Sequence, residues 1–367
     1  MLNNVLNLAQ KMIRIQSDPD NKPQLLQILE LVSEQLSDFT IETFEQNGYK
    51  SILAYNSATR PDKFKIILNG HLDVIPAKDF QYIPIIKGNR LYGAGSMDMK
   101  SNVACLVETF KNMANKVNYP LAIQLVTDEE VGGFYGTKYQ IEQGVRADFV
   151  IAGETTNFDI VNQARGVLLL SISCKGKTAH GAYPWRGENA IWKMNNFLST
   201  LAQQYPIPVE QGWATTINLA KIETNNISFN KIPDDCKVLL DIRFVPEDSN
   251  SIVENIKNLL PDGFEIEVIA NESSLFVEPN NLYLQKIKNS VQKIINKELV
   301  LYGAQGTSDA RHFTKVGIDG IEFGPIGGGI GTDDEWVDIV SLDNYCNILE
   351  DFLLSICDDV QKNVHLD

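Results

Sequence analysis

Three short apolar runs constrain this chain more than anything else in it: Ile66-Ile67-Leu68, Leu121 to Val126 and Phe149 to Ala152. Each is too short for a helix, and none alternates cleanly between apolar and polar residues. That is the pattern of a strand buried on both faces. Ser101 to Met113, between the first two runs, reads as a helix. Leu2, Val5, Leu6, Ala9, Met12 and Ile13 fall on one helical face near the start of the chain, and Leu25, Leu29, Val32 and Leu36 on another. Strands separated by helices predict an α/β domain with a mostly parallel sheet covered on both sides.

The rhythm changes near residue 163. Val167 to Cys174 reads as a strand, Glu188 to Gln203 as a helix and Ala214 to Ile222 as a strand. Cys236 to Val245 follows, with Val238, Leu240, Ile242 and Phe244 on one face and Lys237, Asp241 and Arg243 on the other. Ser251 to Leu260 is helical, and Phe264 to Ile269 is a last strand. The order β-α-β-β-α-β is that of a ferredoxin-like α+β unit. Helical patterns then resume through Leu284, Ile287, Val291, Ile294 and Ile295, and close the chain through Leu342, Tyr345, Leu349, Phe352 and Ile356. The reading is a discontinuous α/β domain formed by residues 1–163 and 274–367, with an α+β domain inserted at 164–273. A length of 367 residues suits two domains at about 150 residues each.

Lys and Arg number 32 against 47 Asp and Glu, a formal net charge of −15. That balance excludes a general nucleic-acid binder, which needs a basic face for the phosphates, and an anionic membrane surface as partner. No run approaches the roughly 18 uninterrupted apolar residues of a membrane span. The opening MLNNVLNLAQ lacks the basic and apolar regions of a secretory leader. Five scattered cysteines with no CxxC pair argue against a disulfide framework. The expectation is a cytoplasmic protein acting on a small molecule.

The chemistry sits just after the apolar runs, at the carboxyl ends of strands, where open α/β sheets keep their ligand sites. The first run leads into Asn69-Gly70-His71-Leu72-Asp73. His and Asp two apart on extended chain point the same way. This suits an imidazole ligand oriented by a carboxylate, with a merely polar strand end as the alternative. Gly93-Ala94-Gly95-Ser96-Met97-Asp98-Met99-Lys100 displays Asp98 on a glycine-rich turn; a phosphate cradle is the weaker reading, because Lys100 lacks P-loop spacing. The second run leads into Thr127-Asp128-Glu129-Glu130-Val131-Gly132-Gly133. Adjacent glutamates are electrostatically costly without a cation. One can bind metal while its neighbour serves as general base, the alternative being an exposed acidic turn. The third run leads into Ala152-Gly153-Glu154-Thr155. One imidazole with several carboxylates suits zinc, cobalt or manganese.

The runs GHLDV, GAGSMDMKS, TDEEVGG and AGET resemble those of the di-zinc amidohydrolases, a family that includes succinyl-diaminopimelate desuccinylase, acetylornithine deacetylase, aminoacylase and glutamate carboxypeptidases. The resemblance covers nearly the whole chain. It implies His71 and Glu154 as ligands of one zinc, Asp98 as the bridge, Glu130 as ligand of the second zinc, Glu129 as general base and Asp73 as orienter of His71. In the inserted domain, Ala179-His180-Gly181-Ala182-Tyr183-Pro184 resembles the segment whose histidine reaches across a homodimer and polarises the scissile carbonyl. The insertion would then be a dimerisation and lid domain. Asn230-Lys231-Ile232-Pro233, Asp241-Ile242-Arg243-Phe244 and Gly306-Thr307-Ser308-Asp309-Ala310-Arg311 are nearest to the desuccinylase pattern. They imply Asn230, Arg243, Ser308 and Arg311 as substrate-binding residues, Arg being a bidentate match for a carboxylate. The plainer alternatives are a solvated strand face for Arg243 and a helix-start charge for Arg311.

One position departs from the family. Its final zinc ligand is a histidine four residues before the Glu of a segment ending Asp-Glu-aromatic-Val. In Gly329-Ile330-Gly331-Thr332-Asp333-Asp334-Glu335-Trp336-Val337 that position is Gly331. The second zinc then keeps only Asp98 and Glu130, unless Asp333, Asp334 or water substitutes. His312 is a neighbour of the pocket, and His365 in the tail carries no role. The expectation is a metal-dependent amidohydrolase, with one or two ions per chain, acting on an N-succinyl or N-acetyl amino acid. The alternatives are a dipeptidase or carboxypeptidase of the same superfamily, and a weakened homologue that only binds a small molecule.

Overall fold

A computed structural model describes residues 1–364, with side chains as far as Cys357; His365 lies outside the described residues. The chain divides into two compact units. One contains Met1–Gln163, Phe276–Tyr302 and the chain from Ser308 onward. The other contains Ala164–Leu275 and Gly303–Thr307. The short return at 303–307 was not read from the sequence, because five residues carry no periodic signal.

The first unit is built on a large sheet whose four central strands run parallel: Leu121–Val126, Phe64–His71, Ala147–Ala152 and Asp319–Glu322. Alternate residues of these strands enter different cores. Ile66, Leu68, Phe149 and Ile151 pack on one side with the helices Leu2–Ile13 and Lys100–Met113. Ile67 and Val150 pack on the other with Ile141 and Phe313. Burial on both faces is why the runs lack polar alternation, and the expected α/β architecture is what the chain adopts. The helix Lys100–Met113 is itself enclosed, every side chain from Lys100 to Phe110 being buried.

Antiparallel additions flank this centre. The hairpin Thr40–Gln46 and Tyr49–Tyr55 extends the sheet beside Leu121–Val126. Its turn, Asn47-Gly48, has φ of 51° and 76° at its two residues, a left-handed pair that Asn-Gly favours. A small separate sheet joins Ile85–Lys87, Arg90–Tyr92, Trp336–Asp338 and Gly327–Gly328. It ties the chain around residue 95 to the C-terminal segment.

The second unit runs Gly166–Lys175, Ala190–Gln204, Thr216–Glu223, Asp235–Phe244, Ile252–Asn258 and Phe264–Glu272, which is β-α-β-β-α-β. Its four strands form an antiparallel sheet in which Asp235–Phe244 and Gly166–Lys175 are central. Val238, Leu240, Ile242 and Phe244 face a core shared with Met194, Phe197 and Ile256. The first helix starts later than the apolar pattern suggests, because the Asn189 side chain accepts from Ile191 N–H and Trp192 N–H and caps it there. All five cysteines are free. Among the described residues, no helix is long and apolar enough to cross a membrane.

Candidate metal centre

The parallel strands deliver their carboxyl ends to one edge of the sheet. Phe64–His71 ends on His71, which is buried. The Nδ1 atom of His71 lies 2.9 Å from the backbone oxygen of Asp73. A carbonyl only accepts, so Nδ1 carries the proton and Nε2 is left as a donor toward a cation. Nε2 lies 3.0 Å from Asp98 Oδ1 and 3.9 Å from Glu154 Oε1. Before two carboxylates Nε2 is held protonated unless a cation takes the proton's place. Burial alone lowers the His71 pKa. Hydrogen bonding to Asp73 and Asp98 and the charge of Glu154 reverse this and hold it well above the usual value.

Asp73 acts on this ring chiefly through its backbone. Its Oδ1 is 3.6 Å from Nδ1, longer than the carbonyl contact. The carboxylate instead accepts the N–H groups of Glu129, at 3.3 Å, and Glu130, at 2.9 Å. One residue thereby orients the imidazole and pins the acidic turn.

Glu129 and Glu130 stand on a single helical turn, Glu129–Val131, after the strand Leu121–Val126. Glu130 Oε1 accepts from Ile75 N–H at 3.2 Å. Burial pushes the Glu130 carboxyl up to about 7, partly offset by His71 and reinforced by Asp98 and Asp73. Burial likewise holds Glu129 well above the carboxylate range, against the pull of His71.

Asp98 is presented by the turn before the helix Lys100–Met113, and the peptide that follows it is cis. Gly95, at φ +76°, is required here, since a Cβ would lie 2.7 Å from Val74 Cγ1. Glu335 steadies the turn: its carboxylate accepts from Gly95 N–H, Met97 N–H and Asp98 N–H at 3.1, 2.8 and 3.1 Å. Lys100 is fully buried beneath it and donates to Ile15 O at 2.8 Å, a structural role. Glu322, at the end of Asp319–Glu322, adds a further carboxyl, pushed by burial to about 7 and hydrogen-bonded by Ser308.

The donor set fits one divalent ion. His71, Asp98 and Glu154 can each offer a ligand atom within 4.8 Å of the others, and no other such group occurs among the described residues. One nitrogen and two oxygens match zinc, cobalt or manganese chemistry. The upward-shifted carboxyls around them are groups a cation would return to the ionised state. A second ion fits poorly. Asp98 and Glu130 do line a cavity of about 320 Å³, and Gly331, Thr332, Asp333 and Glu335 line it with them. Gly331 has φ +67°, and a Cβ there would point to within 3.3 Å of Ile75 Cδ1. Asp333 is paired with Lys78, and Glu335 is committed to backbone N–H groups. No histidine is among the residues that line this cavity.

His180, Asn230 and Arg243 belong to the inserted unit. His180 is exposed, and its Nδ1 accepts from Ala182 N–H at 3.1 Å, which puts the ring proton on Nε2. Asn230 is exposed, and its backbone oxygen accepts from Gly181 N–H at 2.7 Å. Arg243 forms a fork with Asp241 on its own strand, at 2.8 and 3.2 Å. In the first unit, Ser308 and Arg311 are buried. Arg311 donates to Gly132 O at 2.6 Å and to Ser308 O at 3.1 Å. Glu322 and Glu335 join the candidate site without a signal of their own in the sequence. The aromatic-Val pattern beside Glu335 marks the family and not a brace, and Asp319–Glu322 is too short to stand out.

The sequence pattern of peptidase family M20/M25/M40 matches residues 67–355. The chain belongs to this family. This M20/M25/M40 chain is 28% identical over 342 residues to a succinyl-diaminopimelate desuccinylase of Nitratiruptor sp., covering 87% of its own length and 91% of the relative's. In fold it is similar to aminopeptidase PepT from Bacillus cereus, with a TM-score of 0.77 at 18% identity, covering 96% and 98% of the two chains. It is also similar to the Bacillus subtilis YXEP protein, described as a dinuclear metal binding peptidase of the M20 family, with a TM-score of 0.70 at 12% identity over 97% and 98% of the chains. The M20/M25/M40 membership makes it a hydrolase, and the likeness extends through both units.

Proposed function

We propose that the protein hydrolyses the amide bond of an N-acyl amino acid, releasing a succinyl or acetyl group. The observation that carries this is the placement of Glu129 on a pinned turn beside the His71, Asp98 and Glu154 ligand set. His71, Asp98 and Glu154 would hold a divalent ion, zinc or in its place cobalt or manganese, which would supply Lewis acidity to the scissile carbonyl and the attacking water. Glu129 takes the proton from that water at its carboxylate and returns it to the departing amine nitrogen. Asp73 keeps the base and the imidazole in register through its carboxylate and its carbonyl. Glu130, which lines a cavity with Asp98, would be the candidate ligand of any second ion.

His180 is proposed to polarise the carbonyl from the partner chain of a homodimer; its exposure and its free Nε2 proton suit that role. Asn230 and Arg243 are proposed to hold a substrate carboxylate, Arg243 by exchanging its Asp241 partner. Ser308 and Arg311 are not carried forward as substrate ligands, since Ser308 serves Glu322 and Arg311 is buried on backbone oxygens. The 28% likeness to a desuccinylase supports the succinyl reading. Gly331 favours a binding homologue without turnover, and the braced general base argues against that.

The test is a hydrolysis screen of N-succinyl and N-acetyl amino acids and dipeptides with added zinc, cobalt or manganese, alongside sedimentation for the dimer. Glu129→Gln should lose about 10²- to 10⁴-fold in kcat while binding metal as before. Equal turnover by the variant removes Glu129 from the mechanism, and cleavage confined to dipeptides replaces the acyl reading with a dipeptidase.

A further inference from the structure

The acidic turn is gripped from a direction the sequence does not suggest. Inside the turn, Gly132 N–H donates to Glu129 O at 2.7 Å and Gly133 N–H to Asp128 O at 2.8 Å. Gly132 and Gly133 have φ of +108° and +64°, backbone that other residues adopt only under strain. This leaves the Gly132 carbonyl facing the short helix Ala310–Thr314. Two side chains of that helix meet it. Arg311 Nη2 donates at 2.6 Å and His312 Nε2 lies at 2.9 Å, so both lone pairs of one oxygen are used. Because the carbonyl only accepts, the His312 proton sits on Nε2, and Nδ1 is buried without a partner.

Neighbouring features fix the same arrangement. A Cβ on Gly133 would fall 1.8 Å from Asp309 Oδ1, so the residue before this helix presses directly on the turn. The Asp309 carboxylate also accepts from Thr137 Oγ1 just beyond the turn. The Phe134 ring meets the His312 ring edge-on at 5.8 Å. Burial, with the charge of Arg311, lowers the His312 pKa to about 3, so the ring remains a neutral donor. Both residues are buried, with Arg311 at 6% exposure and His312 at 2%.

We propose that Arg311 and His312 are positioning residues that lock the Glu129–Glu130 turn through the Gly132 carbonyl, rather than groups that read the substrate. The proposal rests on Glu129 being the general base. With Asp73 holding the turn's N–H groups and this pair holding its exit, the base is fixed from both ends. Loss of the grip lets the carboxylate drift, and small misplacements of a reacting group are costly to rate.

The experiment compares full-length, zinc-loaded wild type with Arg311→Lys, His312→Ala and His312→Gln. Steady-state kinetics use the best N-acyl amino acid of the screen, and hydrogen exchange is followed in the peptide spanning residues 127–136. His312→Ala should raise exchange in that peptide and lower kcat about 10- to 100-fold with KM nearly unchanged. Arg311→Lys should move both in the same direction. His312→Gln should recover most of each, because the Gln amide can donate to Gly132 O as a neutral imidazole does. Unaltered exchange together with a raised KM and preserved kcat for Arg311→Lys overturns the proposal and makes Arg311 a substrate ligand. Raised exchange in a protein whose wild type hydrolyses nothing leaves the grip standing and removes the hydrolytic reading instead.

Discussion

Gly331 is the residue whose chemistry most limits this site. Asp98 and Glu130 reach the cavity it borders, yet no histidine lines it. A transition-metal ion held by two carboxylates alone has little to offset its dehydration. Dialysed wild type should therefore retain about one zinc per chain by elemental analysis, and Gly331→His about two, the logic of a fuller ligand set. The substitution carries about 1–3 kcal/mol of strain at φ +67°. Two firmly held ions in the unaltered protein would sink the idea. His71, Asp98, Glu129, Glu130 and Glu154 were legible in the sequence because each follows a strand or a glycine turn. Burial was not legible. Arg311 looks the same in a sequence whether its guanidinium meets solvent or a backbone oxygen, and Asp73 looks like a side-chain orienter although its carbonyl makes the shorter contact.

Among the elements, the Gly93–Asp98 turn depends on a distant acid. Glu335 enters it from the small sheet formed by Arg90–Tyr92 and Trp336–Asp338. Glu335→Ala strands three N–H groups, and partners of this kind are worth about 10- to 100-fold in metal affinity. A chelator-competition titration should show zinc binding weakened by about that factor, with a lower melting temperature. Unchanged affinity would mean that Asp98 needs no such support. The buried strands were readable because burial on two faces leaves an unbroken apolar run. The hairpin Thr40–Gln46 and Tyr49–Tyr55 was missed although Asn47-Gly48 marks it, its polar first strand masking the pattern. Three-residue strands such as Ile85–Lys87 exist only by pairing and carry no periodicity of their own.

Across the whole molecule, the buried acids set a pH dependence. Burial pushes Asp128, Glu130 and Glu322 each to about 7 from ordinary values of 3.8, 4.5 and 4.5. Between those limits the folded chain keeps protons the unfolded chain has lost, so stability falls as pH rises. His312, lowered by burial to about 3 from 6.5, works the other way, as does Lys100, lowered by burial to about 7 from 10.5, which takes effect only as pH nears 7. In calorimetry the chelated protein should melt lower at pH 7 than at pH 5. The gain from added zinc should grow over the same interval, because its ligands must be deprotonated. A chelated melting temperature that climbs through this window would contradict the assignment. The order of the chain adds a kinetic consequence. Asp319–Glu322 pairs in parallel with Ala147–Ala152 across the entire inserted unit, a closure whose entropy must be met before the contact rewards it. His71, Asp98 and Glu154 all precede the insertion, whereas Arg311, His312 and Glu335 all follow it. During synthesis a ribosome therefore releases the candidate ligands, with Asp73, long before Arg311, His312 and Glu335, which hold the turns from the C-terminal segment. Until the last strand arrives, the edge of Ala147–Ala152 stays open to misplaced pairing.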